Sequence, residues 1–270
     1  MKLEGKVVLI TDGDSPLGLA LAEGFRAEGA ILALNVHNPD GKAIDAQAPV
    51  NLAKIRGEPD MLTFANPVIK KEVDDAVSSV LARYGRIDVL IHNNNEVFPT
   101  ALESCDDDSF DRAMGANLKS AFLFAQAVGA AMKEAGKGNI IFLGSIHDEK
   151  PSGAAFAYSL ARGAIKMLAK EMTIDLGPYN IRTNIVSIGP VEGHDEDFYS
   201  ALSPLYENVK GRIVNEKYCD LSEAAKAAIF FAGDDCPSAN GAELKIDGGF
   251  LMTYYTAWKR PGKGGENDGH

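Results

Sequence analysis

Apolar positions along this chain alternate between a strand-like run and a helical spacing from one end to the other. The run Lys6 to Thr11 (KVVLIT) is rich in β-branched residues. The turn Asp12-Gly13-Asp14-Ser15-Pro16 follows it, and Leu17, Leu21, Ala22 and Phe25 then recur at helical spacing until Gly29. A second apolar run spans Ala30 to Val36, and the stretch from His37 to Pro59 is a loop rich in Pro, Asn, Gly and Asp. Further strands are predicted at Met61 to Phe64, Ile87 to His92, Asn139 to Gly144, Ile181 to Ile188 and Ala242 to Ile246. Helices are predicted at Val68 to Tyr84, Phe110 to Ala135, Ala157 to Leu176 and Leu221 to Phe231. Strands that alternate with helices in this way imply a doubly wound, Rossmann-like α/β protein built on a parallel sheet of about seven strands.

The alternation leaves no room for a second domain, so residues 1–250 are expected to form one unit. From Gly189 to Tyr218 the periodicity fails, and this segment is expected to lie as a lid over the carboxyl ends of the strands. Residues 251–270 form a tail in which Tyr254, Tyr255 and Trp258 suit an interface, followed by a disordered end. With 270 residues and 46% hydrophobic content the chain can bury one sizeable core. A net charge of −11 repels phosphate backbones and anionic membrane faces, which argues against nucleic-acid and membrane partners. No apolar run reaches spanning length and the N-terminus lacks the pattern of a secretory signal, so a cytoplasmic protein is expected. Cys105, Cys219 and Cys236 are scattered, which suggests neither a disulfide framework nor a metal site.

Several stretches resemble the short-chain dehydrogenase/reductase family, over essentially all of Lys2 to Phe250. Gly5 to Thr11 resembles its first strand, Gly85 to Ile91 its fourth, and Asn117 its active-site asparagine. Ser145 lies thirteen residues before Tyr158, and Asn240-Gly241 through Asp247-Gly248-Gly249 resembles its C-terminal signature. The resemblance implies that Ser145, Tyr158 and Asn117 form a catalytic set in which the tyrosine phenol is the acid or base. An ordinary tyrosine pKa near 10 is too high for that task at neutral pH, so a cation at i+4 on the same helical face is needed. The family uses lysine there. This chain has Arg162, planar and bulkier than an ammonium.

The nucleotide site departs further from the family. Where the family has a threonine followed by glycines that admit a pyrophosphate, this chain has Thr11-Asp12-Gly13-Asp14-Ser15-Pro16-Leu17-Gly18, with Asp12 and Pro16 at two of the glycine positions. Like charges about 4 Å apart repel by about 4 kcal/mol at an effective dielectric of about 20. Ser15 and Pro16 equally suit an ordinary helix start. The family's acid after the third strand is replaced by Ala65 and Asn66, and its Asn-Asn-Ala-Gly turn by His92-Asn93-Asn94-Asn95, where small residues have become larger and polar.

These departures lead to the expectation of no cofactor. The chain would be a catalytically degenerate subunit beside an active relative, or would assemble with itself as a dimer or tetramer. It would then resemble the inactive partner in heteromeric enzymes such as hydroxybenzylsuccinyl-CoA dehydrogenase. A second reading comes from Ser145, Tyr158 and Arg162, which resemble the triad of the halohydrin dehalogenases, as do Ile188-Gly189-Pro190 and the stretch around His194; Pro16, Asp12 and Asp14 oppose a halide pocket. A third reading is an NAD- or NADP-dependent alcohol dehydrogenase or ketone reductase acting on a small molecule, with arginine in place of lysine. His92 and His194, as lone histidines, are expected to be hydrogen-bonded fixtures.

Overall fold

Runs of β-branched and aliphatic residues buried on both faces form the centre of the molecule, which a computed structural model describes over residues 1–36, 61–153, 155–191 and 209–253. The strands are β1 (Val7–Ile10), β2 (Ile31–Asn35), β3 (Met61–Thr63), β4 (Val89–His92), β5 (Gly138–Ser145), β6 (Ile181–Ile188) and β7 (Glu243–Ile246). They form one seven-stranded sheet in the order β3-β2-β1-β4-β5-β6-β7, with every neighbouring pair parallel. All seven lie where the apolar pattern predicts them, to within two residues at each end.

The helices are α1 (Pro16–Ala27), α2 (Lys70–Tyr84), α3 (Asp107–Met114), α4 (Ser120–Ala135), α5 (Phe156–Leu176), the short α6 (Val209–Arg212) and α7 (Leu221–Ala232). One face of the sheet is covered by Val73, Phe124, Val128 and Ile165 from α2, α4 and α5. Leu21 and Phe25 from α1 and Ala228 from α7 cover the other. The continuous helix predicted from Phe110 to Ala135 is instead interrupted by a π-helical turn at Gly115–Lys119, which links α3 to α4 and carries Asn117. A single wide turn of this kind re-aims the side chains around it.

The direction of strand succession reverses between β1 and β4, and the loops after these strands open a crevice there. Asn93, directly after β4, ties the two loops together. Its backbone N–H donates to Thr11 Oγ1 at 2.9 Å, and its side chain donates to Asp12 O at 3.2 Å and Ser15 Oγ at 3.0 Å. Within the expected lid, residues 192–208 lie outside the described residues, as do His194 and the tail aromatics Tyr254, Tyr255 and Trp258. No helix among the described residues is long and apolar enough to cross a membrane.

Candidate active site

Ser145 ends β5 and Tyr158 lies in the first turn of α5, and both line a cavity of about 380 Å3 at the carboxyl ends of the strands. Val97, Pro99, Ile146 and Ile188 give this cavity apolar walls, and His147 adds a polar edge. Ser145 Oγ accepts from His147 N at 3.3 Å, so its own proton is available to the cavity. Tyr158 is almost wholly buried, and its hydroxyl donates to Asn95 Oδ1 at 2.8 Å.

Arg162 sits one turn further along α5 and is only 2% exposed. Its Nη1 donates to Leu143 O at 3.2 Å, and its Nη2 donates to Asn94 O at 3.0 Å, Asn95 Oδ1 at 2.5 Å and Asn117 Oδ1 at 2.7 Å. Asn117, fully buried in the π-helical turn, also accepts from Glu96 N at 3.1 Å and donates to Glu96 O and Ala113 O. The structure therefore brings together all four residues expected to form a catalytic set: Ser145, Tyr158, Arg162 and Asn117. Asn95 joins them as a fifth member that the sequence marked as larger and polar but did not place in the set. The signal was present, because a buried guanidinium needs acceptor oxygens that the family's glycine cannot supply.

His92 is fully buried behind this set. Burial, and secondarily the charge of Arg162, push its pKa down to about 3. Nε2 lies 3.0 Å from Ser120 Oγ, so His92 is a neutral fixture, as expected of a lone histidine.

The altered turn before α1 keeps a shape suited to a dinucleotide. Thr11 N donates to Ile91 O at 3.0 Å, and Asp12 adopts φ +50°, the left-handed region in which glycine is at ease. A Cβ on Gly13 would stand 2.8 Å from Leu34 Cβ, and one on Gly18 would meet the Asp12 carbonyl, so both glycines allow a close backbone approach. Ser15 caps α1 by accepting from Gly18 N at 3.0 Å, with Pro16 at the first helical position. The turn is thus an ordinary capped helix start whose two glycines keep the backbone open. Beyond the turn a second cavity of about 500 Å3 is lined by Asp12, Asn66, Val68, Asn94 and Asn95. Asn93 Oδ1 and Asn94 Oδ1 are buried beside the crevice without a hydrogen-bond partner among the described residues.

A doubly wound parallel sheet whose switch-point crevice holds a serine and a tyrosine hydroxyl in one cavity places the chain in the class of Rossmann-like α/β proteins with a candidate site at the carboxyl ends of the strands. The comparisons narrow this. The family model described as enoyl-(acyl carrier protein) reductase matches residues 13–251. A short-chain dehydrogenase reductase 3c of Arabidopsis thaliana is 32% identical over 262 residues, covering 93% of this chain and 96% of the relative. The D-threitol dehydrogenase of Mycolicibacterium smegmatis is 30% identical over 254 residues, covering 93% and 95%. A gluconate 5-dehydrogenase from Burkholderia cenocepacia, solved with NADP and tartrate, superposes with a TM-score of 0.83 at 27% identity, covering 93% of this chain and 97% of that one. The chain belongs to the short-chain dehydrogenase/reductase family of oxidoreductases.

These findings overturn the expectation that the chain takes no cofactor. Relatives named as dehydrogenases match along 93% of its length, and the gluconate 5-dehydrogenase carries NADP. The physical reason is that the expectation weighed Asp12 and Pro16 as obstacles. The backbone around Thr11, Asp12, Gly13 and Gly18 nevertheless keeps the open turn, because Asp12 takes up the conformation that glycine would.

Proposed function

We propose that this protein is an NAD(P)-dependent dehydrogenase or reductase that interconverts a secondary hydroxyl and a carbonyl on a small molecule. The observation that carries this reading is the meeting of Ser145 and Tyr158 in one cavity at the switch point of the sheet. The turn containing Gly13 and Gly18, with the N-terminus of α1, would hold the pyrophosphate, and the cavity beside Asn66 and Val68 would hold the adenosine. A nicotinamide, when bound, exchanges hydride with the substrate carbon.

The chain's own groups act on the substrate oxygen. Ser145 Oγ donates a hydrogen bond to it and fixes the reacting carbon in place. In the reductive direction Tyr158 turns its hydroxyl from Asn95 to that oxygen and supplies the proton that completes the alcohol; oxidation returns the proton to it. Asn117 holds Arg162 and the loop at Glu96 in register behind the tyrosine. The apolar walls around Val97, Ile146 and Ile188 exclude water from the transfer.

The dehydrogenase and reductase relatives support this reading over a degenerate subunit or a halohydrin dehalogenase. For assembly, a groove of about 370 Å3 between α4 and α5, lined by Phe122, Gly129, Leu168 and Met172, supports association with a second copy of this chain. The test is turnover of D-threitol and gluconate with NAD+ and NADP+, beside calorimetric binding of NADH and NADPH. Tyr158→Phe is expected to lower kcat by about 10²–10⁴-fold with nucleotide binding retained. Absence of nucleotide binding up to millimolar concentration would sink the proposal.

A further inference from the structure

Arg162 occupies the position of the family's lysine, yet none of its hydrogen bonds goes to the Tyr158 hydroxyl. The guanidinium carbon lies 4.9 Å from the centre of the Tyr158 ring. The hydrogen-bonded link between the two residues is Asn95, whose Oδ1 accepts from Arg162 Nη2 at 2.5 Å and from the Tyr158 hydroxyl at 2.8 Å. A lysine ammonium on a flexible stem can swing to a neighbouring hydroxyl. A planar guanidinium already bonded to Leu143 O and Asn117 Oδ1 cannot do so without giving up those partners.

We propose that Asn95 is a positioning residue whose carboxamide oxygen orients the Tyr158 hydroxyl and joins it to Arg162, so that Asn95 and Arg162 together replace the family's glycine and lysine. An amide oxygen offers two lone pairs, and here each has its donor. Arg162 fixes the amide with its oxygen toward the tyrosine, and Tyr158 is held as a donor until a substrate oxygen takes the place of Asn95 as its acceptor. Asn95 is exposed and lines both cavities, so an incoming ligand meets this link directly. The catalytic consequence rests on the NAD(P)-dependent reading; the link itself does not.

The experiment has two arms. In the first, protein carrying carbon-13 at tyrosine Cζ is compared by NMR with Tyr158→Phe, which identifies the Tyr158 resonance. Asn95→Asp keeps the acceptor oxygens and is expected to leave that resonance near its wild-type position, whereas Asn95→Leu, similar in size and without an acceptor, displaces it. Asn95→Gly gives the same information should Asn95→Leu fail to fold. In the second arm, turnover of D-threitol or gluconate with NAD+ or NADP+ is followed. Asn95→Leu should lower kcat by about 10–100-fold with KM within about threefold. The double variant Asn95→Gly with Arg162→Lys should recover most of what each single change loses. A Tyr158 resonance unmoved in a folded Asn95→Leu overturns the proposal, and so does a double variant whose loss equals the product of the single losses. If the wild type binds neither NADH nor NADPH, the functional reading falls and the first arm alone decides the link.

Discussion

Helix α5 carries Arg162 and Lys166 one turn apart and surrounds these two cations with opposite chemistry. Arg162 is buried among neutral oxygens, and no described carboxylate lies within 4 Å of it. Lys166 lies among three carboxylates, 2.5 Å from Glu149, 2.7 Å from Glu243 and 3.5 Å from Asp148. Burial alone would lower the pKa of Lys166, but its bonds to Glu149 and Glu243 raise it above the ordinary lysine value. The positive charge of Lys166 is cancelled locally, and the residue works as a clamp between α5, the turn after Ser145 and β7. The charge of Arg162 is solvated by dipoles and not cancelled, so its field persists at Tyr158 and at His92. A cation next to catalytic groups is useful only in the second kind of surrounding.

The sharpest way to break this contrast is Arg162→Met. It leaves Leu143 O, Asn94 O, Asn95 Oδ1 and Asn117 Oδ1 without their shared donor, and should lower stability by about 3 kcal/mol, read as a drop in the urea midpoint. A loss under about 1 kcal/mol would show that the acceptors find other partners and that the buried network is not what holds Arg162.

Lys166→Met probes the other cation and should cost about 2 kcal/mol, because Asp148 and Glu243 then lose their cation and only Glu149 keeps one, Lys245 at 2.7 Å. One carboxylate oxygen from each of these residues lies within 4.8 Å of the other two. Millimolar calcium, which takes such oxygens, is expected to restore part of the lost stability in this variant and to leave the wild type unchanged. Equal responses of the two proteins would contradict the picture of Lys166 as the resident cation.

The parallel sheet was legible in the sequence because each strand is a short apolar run and each helix a repeating stripe. Ser145, Tyr158 and Asn117 were legible through their resemblance to the family's motifs. The environment of Arg162 was not, since its acceptors come from three separated segments: the β5 backbone at Leu143, the loop at Asn94 and Asn95, and the π-helical turn at Asn117. Asn95 accordingly looked like an obstacle in the sequence and is a hydrogen-bond acceptor in the fold. Asp12 misled for a related reason, because the residue type suggests repulsion while the backbone angle that keeps the turn open is invisible in one dimension. The carboxylates around Lys166 were missed altogether, since Asp148 and Glu243 are 95 residues apart in the chain.

The smallest effect separates the two regions by pH. Burial raises the pKa of Asp148 to about 6, against the pull of Lys166 and with a push from Glu243 and Glu149. Between the ordinary aspartate value and about 6 the folded protein therefore binds more protons at this residue than the unfolded chain does, and its contribution to stability falls as pH rises through that window. His92 has the opposite sign: its folded pKa is depressed to about 3, so its contribution is full above the ordinary histidine value and is lost on acidification. In the wild type the two slopes oppose each other between about pH 4 and 6. Asp148→Asn removes one of them. The stability of this variant relative to wild type should grow by about 1–2 kcal/mol from pH 4 to pH 7, with most of the rise below about pH 6. Urea titrations at four or so pH values would read it. A difference that stays flat across the range would mean that Asp148 is ionised throughout and that Lys166 matches all three carboxylates, leaving the clamp insensitive to pH.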